Sequence, residues 1–179
     1  MEIYYYHIKF MIFLPIIKKI SFLFKNCTSF KTNNFTYTVP KNFDSLSKFL
    51  MKFNLYEKKE RSLVKDLFNN IDIIEAGAGI GLISMYLKQK TKKNLIMIEP
   101  NPKMNQIIKK NFEQNGFRKK DYKIINYALS HTDLQSVNFH TFETSMANTI
   151  ADNTLNYNLK KKKIKKIKTY FIKKIIKKF

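Results

Sequence analysis

An acid and three glycines at alternate positions form Glu75-Ala76-Gly77-Ala78-Gly79-Ile80-Gly81, and a second acid, Glu99, follows further along. Glycines at this density let the backbone turn tightly and approach a ligand that a Cβ would hold away. A helix opening just behind them offers unpaired N–H groups and partial positive charge. An acid at the tip of the next strand can accept both ribose hydroxyls of an adenosine-bearing ligand, in the crevice where parallel strands end. Nicotinamide dinucleotides call for G-x-G-x-x-G, whereas the spacing here is G-x-G-x-G. They also have no use for an acid ahead of the first glycine. S-adenosylmethionine does, because its sulfonium and α-ammonium are cationic and a carboxylate at Glu75 would face them favourably. The expected cofactor is therefore S-adenosylmethionine.

The flanking sequence predicts elements that could place these residues. Ile71–Ala76 is a β-branched run ending in the glycines, read as a buried parallel strand. Ile80–Gln89 reads as a helix with Ile80, Ile83 and Leu87 inward, and Asn94–Glu99 as a second strand stopped by Pro100 and Pro102. Pro102 to Asn115 reads as a second helix, with Met104, Ile107, Ile108 and Phe112 at helical spacing and Gly116 as its stop. Tyr122–Tyr127 is the third strand, and Gln135–Phe142 alternates as a further, half-exposed one with Val137 and Phe139 on one side. Strand, helix, strand, helix, strand with short links specifies right-handed βαβ units and a parallel sheet.

Three regions follow: an N-terminal extension over 1–70, apolar and then mainly helical, the S-adenosylmethionine-binding Rossmann-like core over 71–143, and a polar loop with a Lys-rich tail over 144–179. The extension opens on an apolar stretch, Phe10 to Phe24, interrupted by Pro15 and by Lys18-Lys19. It is too broken to span a bilayer and lacks a signal-peptide cleavage site, so it reads as an element at the domain edge, with interfacial membrane contact as the alternative. A cytoplasmic location is the resulting expectation. Asp44 or Ser45 can cap a helix with Leu46, Phe49, Leu50 and Phe53 on its apolar face. A second helix, about Glu57 to Asn69, puts Leu63, Leu67 and Phe68 together. In the tail, Ile164, Ile167, Phe171 and Ile175 fall at helical spacing, which fits a basic amphipathic helix as the alternative to a simply solvated charge run.

The chain has 179 residues, 44% apolar and 15% aromatic, enough for one packed domain. Its single cysteine, Cys27, excludes an internal disulfide framework, and no metal site is expected from three scattered histidines. The net charge of +21 suggests nucleic acid, but 32 of the 34 basic residues are lysine. Readers of base edges favour the bidentate fork of arginine. Eleven lysines without an acid sit in residues 157–179, so much of the excess is local to the tail. Specific nucleic-acid binding is not expected; the Lys-rich tail reads as a solvated charge run, with peripheral membrane contact as the alternative.

Glu75–Gly81, then Ile98-Glu99-Pro100-Asn101-Pro102, Lys110-Asn111, Asn115-Gly116 and Asn126-Tyr127-Ala128-Leu129-Ser130 resemble the FkbM family of class I S-adenosylmethionine-dependent methyltransferases in order and spacing. Tyr56-Glu57 with Glu60 is similar to that family's lead-in, and the resemblance spans about residues 40–145. It implies a Rossmann-like parallel sheet of the class I methyltransferase type and O-methylation of a sugar or other small hydroxylated acceptor. Glu75, Gly77, Gly79 and Gly81 would hold the aminoacyl end of the cofactor, Glu99 the ribose, and the Asn126–Ala128 turn would lie against the adenine. The family usually has Asn at the position of Gly79. Its later Ile-Asp-x-Glu-Gly-type strand has no counterpart here, so the sheet is expected to be incomplete, with the Ile71–Ala76 strand at an open edge. The chain is accordingly expected to be a truncated or split enzyme. No general base is evident: His131, His140 and Asp133 qualify by type alone. The rival readings are a non-enzymatic module docking acidic lipid or polymer through its basic tail, and a nicotinamide enzyme.

Overall fold

The computed structural model describes residues 15–66, 70–130, 135–142, 149–150 and 162–171. At its centre lies a parallel sheet of β3 (Ile73–Ala76), β4 (Leu95–Ile98) and β5 (Lys123–Ile125), in the order β3-β4-β5. Ile73 pairs with Leu95, and Ile96 with Lys123. The crossovers are α4 (Leu82–Lys90) and α5 (Pro102–Gln114). Strand order that advances in one direction sends successive right-handed crossovers to the same face of the sheet. The side chains divide accordingly. Ile73, Leu95 and Met97 join the main core, whereas Ile96 and Ile98 form a separate cluster with Ile125 and Leu129. The expected α/β fold with a partial Rossmann-like sheet is thus observed. β3 has no second neighbour among the described residues, and Ile71 and Ile74 are each 40% exposed, so the strand is buried on one face rather than both.

The caps follow local chemistry. Asn101 accepts from the Lys103 N–H at the start of α5, with Pro102 in its first turn. Gly116, at φ +81°, closes the other end, where a residue with a Cβ would be strained.

The N-terminal region contains helices, as expected, and also a hairpin that helical spacing does not announce. β1 (Ser29–Thr32) and β2 (Phe35–Thr38) are joined by Asn33-Asn34, both at positive φ, which is the two-residue turn that suits strand twist. Phe30, Phe35 and Tyr37 enter the same core as Met85, Ile108 and Phe112. The outer edge of β2 is bonded to side chains of α5. Asn111, fully buried, accepts from Thr38 N–H (2.7 Å) and donates to Thr38 O (3.2 Å) and Ile80 O (2.9 Å). Asn115 accepts from Thr36 N–H (2.8 Å) and donates to Thr36 O (2.6 Å). Two amides thereby replace a neighbouring strand.

Asp44 caps α2 (Ser45–Lys52) through the Ser47 N–H. The predicted inward faces shift. In α2 the buried residues are Lys48 and Met51, while Phe53, just beyond, is 53% exposed. Lys48 is tolerated because its ammonium donates to the carbonyls of Lys25 and Lys41 while its stem packs. In α3 (Lys58–Lys65) Arg61 and Val64 are buried and Leu63 is 68% exposed; Leu67 and Phe68 lie outside the described residues.

The tail departs most. Residues 162–171 form a strand, β9 (Lys162–Phe171), not an amphipathic helix. It pairs parallel with β6 (Ala128–Ser130) and antiparallel with β7 (Ser136–Phe142), which also pairs with β8 (Thr149–Ile150). Isoleucines and aromatics favour a strand once a partner edge exists, and β7 offers one over seven residues. Ile175 lies outside the described residues.

Replacing Asn111 by Ala leaves two carbonyls and one N–H without partners in a buried seam. Urea unfolding should show a loss of about 2–4 kcal/mol, against about 1 kcal/mol or less for Gln114→Ala on the exposed side of the same helix.

Candidate functional site

The glycine segment leaves β3 by extending its ladder: the Gly77 N–H donates to Ile98 O at 2.8 Å. Gly77, Gly79 and Gly81 all have positive φ, so the chain folds back before α4 begins. Gly81 is the N-cap of α4, and its φ of +81° would strain any residue with a Cβ, which would also meet Ile108 and Phe112 at 3.4 Å. Gly77 faces open space, with nothing within 4 Å of where its Cβ would be.

Glu99 links this segment to the next turn. One of its carboxylate oxygens accepts from the Gly79 N–H (2.9 Å) and the other from the Asn101 N–H (2.8 Å). The residue is 5% exposed. Burial pushes its carboxyl above the usual range, while the two backbone donors pull it back. Its carbonyl accepts from Asn105 and Asn126, and Asn126 also donates to Pro100 O.

Beside this junction is a cavity of about 260 Å³ lined by Gly77, Gly79, Glu99, Tyr56, Glu57 and Phe139, with Ile80, Leu82, Pro100 and Met104 among the other walls. Its polar groups come from three places: the glycine turn, the end of β4, and the Tyr56-Glu57 loop ahead of α3. Arg61, buried within α3, holds that loop by donating to the carbonyls of Asn54 and Tyr56. Glu57 sits at φ +50°, unusual for a residue with a Cβ and a sign of a backbone held in place by its surroundings. Its carboxyl is pushed up to about 7 by burial and by the Glu60 charge, against the opposing pull of Arg61. Glu75, half-buried, accepts from the Ser84 hydroxyl of α4. It too is raised to about 7, chiefly by burial, with the Ser84 bond opposing and the charges of Glu57 and Glu99 adding to it.

Of the residues singled out from the sequence, Gly77, Gly79 and Glu99 meet at the cavity. Glu75 lies on the adjoining stretch of β3 but does not line it. Gly81 packs under α4, Asn126 secures the turn after β5, and Ala128 is buried with Phe139 and Ile167. His131 and Asp133 lie outside the described residues, and His140 belongs to β7. Tyr56, Glu57, Met104 and Phe139 are among the lining residues that sequence reasoning did not assign to the site. Tyr56-Glu57 could have been suspected from its acid; Phe139 depends on how β7 is held against the core.

A Rossmann-like half-sheet with a glycine turn, an acid closing the second strand and an acidic cavity between them defines a class I methyltransferase-type domain. The lysine methyltransferase family matches the chain over residues 45–144, more than half of its length, and the chain belongs to that family. The match agrees with the methyltransferase expectation and does not extend to the narrower FkbM resemblance. No curated protein and no solved structure matches the chain.

Glu57 and Glu75 hold protons more tightly in the folded protein than when unfolded. The sign follows: the folded state binds more protons between the ordinary carboxylate range and about 7. Stability should therefore fall as pH rises from about 4.5 to 7 and level off above. Thermal melts across this range check it, and Glu75→Gln should flatten part of the slope.

Proposed function

We propose that the protein is an S-adenosylmethionine-dependent methyltransferase whose acceptor is a lysine amine. The observation that carries the cofactor assignment is the cavity at the glycine turn, bounded by Glu57 and Glu99 and backed by Ile80, Leu82 and Met104. The donor set suits the ligand. Carboxylates complement its ammonium and sulfonium, and the apolar walls suit the adenine. The cavity is near the lower end of small-ligand site volumes, about 300 Å³, and opens to solvent. When bound, S-adenosylmethionine supplies an electrophilic methyl carbon on a sulfonium leaving group.

Glu99 already bonds to the Gly79 and Asn101 N–H groups, so it is oriented before any ligand arrives, and its carboxylate is the candidate ribose acceptor. Glu57 lines the same space. With an affinity for protons centred near neutrality, it can attract an incoming ammonium and take up a proton as the amine becomes nucleophilic. Phe139 and Tyr56 add aromatic surface to the lining. Family membership and the acidic lining both support an amine acceptor. A hydroxyl is far less acidic than an ammonium and asks for a stronger base. The second reading, O-methylation of a sugar or similar hydroxyl, rests on the Glu99-Pro100-Asn101-Pro102 element and its resemblance to the FkbM pattern.

Isothermal calorimetry with S-adenosylmethionine should give saturable binding that Glu99→Ala weakens by more than tenfold while the melting transition remains cooperative. Because a cationic ligand favours ionised carboxylates, affinity should rise about tenfold between pH 6 and pH 8 for a group titrating near 7. Radiolabel transfer to lysine-containing acceptor proteins, set against glycans, separates the two readings. Label on hydroxyls alone excludes the lysine assignment, and absence of any cofactor binding excludes both.

A further inference from the structure

We propose that the outer face of residues 15–25 binds the surface of an anionic lipid bilayer. Helix α1 (residues 15–21) runs directly into the 3-10 turn Phe22–Phe24. Ile16, Ile20 and Leu23 follow one another at spacings of four and three, and so lie along one stripe of this continuous segment. They are 53%, 45% and 80% exposed, and the neighbouring Phe22 is 65% exposed. Four large apolar side chains within eight residues are thus turned to solvent.

The segment is anchored on its inner side. Ser21 is buried, and the Phe24 ring stands edge-on to Phe49 and Phe53 at 5.5 and 5.9 Å. The outward stripe is therefore presented by a docked element. Phe53, itself 53% exposed, continues the apolar surface past Phe24.

Charge identifies the occupant. Residues 15–43 contain five lysines, Lys18, Lys19, Lys25, Lys31 and Lys41, and no acid. Lys18, Lys19 and Lys25 are exposed around the stripe, and the Lys25 ammonium lies 5.5 Å from the Phe22 ring centroid. An apolar stripe bordered by ammonium groups matches the boundary between acyl chains and phosphate headgroups, where each kind of side chain meets its preferred surroundings. A second copy of the same face would bring these lysines against one another, and a neutral bilayer would leave them uncompensated. Among the described residues no helix is long and apolar enough to cross a membrane, and α1 is suited to lie on one.

The chain has no tryptophan, so Leu23→Trp in the full-length protein gives a single reporter at an exposed position. Vesicles of phosphatidylcholine mixed with phosphatidylglycerol should shift its emission to the blue, and lipids brominated on their acyl chains should quench it; pure phosphatidylcholine should do neither. Adding Ile20→Ser and Phe22→Ser should reduce partitioning about tenfold or more. The Lys-rich residues 157–179 could bring the protein down with anionic vesicles by charge alone, and the reporter distinguishes the two modes. Cosedimentation with unshifted, unquenched emission overturns the proposal, as does absence of any binding. A blue shift that grows with protein concentration without lipid assigns the face to self-association and overturns it equally.

Discussion

A buried carboxylate must find hydrogen-bond donors or take up a proton, and Glu99 finds two backbone N–H groups, one on each side of a crevice. This bond pair fixes the distance between the glycine turn after β3 and the start of α5. The arrangement asks for a residue without a Cβ penalty at Gly79, whose φ of +58° turns its N–H to the acid. It also asks for an N-cap at Asn101, so that one N–H there is free for Glu99 while another is taken by the Asn101 side chain. Asn105 and Asn126 then bind the Glu99 carbonyl, so four segments meet at one residue. The cavity is the space left beside that junction.

The same economy of polar groups explains how the N-terminal region is attached. A hairpin edge carries unpaired donors and acceptors, and burying it against an apolar helix face would be costly. Asn111 and Asn115 supply those partners from α5, and Asn111 reaches the carbonyl of Ile80 beside the glycine turn as well. Tyr37 enters this seam with its hydroxyl raised above the usual tyrosine range, mainly by burial, with Tyr86 beside it. Arg61 does comparable work on the other side, closing the Asn54–Glu57 loop through two carbonyls and lying 6.0 Å from the Tyr86 ring centroid. The extension is therefore continuous with the core that shapes the site.

Several sequence signals were local and could be read directly. Pro102 after Asn101, Gly116 after the last apolar turn, the β-branched pair Ile73-Ile74 and the apolar run Leu95–Ile98 each encode their element within a few residues. The helical faces of α2 and α3 were less legible because their burial is decided by partners distant in sequence. Lys48 goes inside since carbonyls at Lys25 and Lys41 await it, and Leu63 stays outside since Val64 and Arg61 meet the core. The lysine-rich segment was ambiguous for a further reason: isoleucines three residues apart satisfy a helix, and β-branched residues equally satisfy a strand.

By itself the sequence determined the parallel half-sheet, the glycine turn and the acid that closes it, because hydrophobic period, caps and positive-φ residues act over short range. Only the tertiary structure decided that Glu57 and Phe139 share a cavity with Glu99, that Glu75 turns instead to Ser84, and that residues 162–171 pair as a strand. Those outcomes depend on contacts between segments far apart in the chain, where backbone edges and buried polar groups choose among partners that no local pattern names.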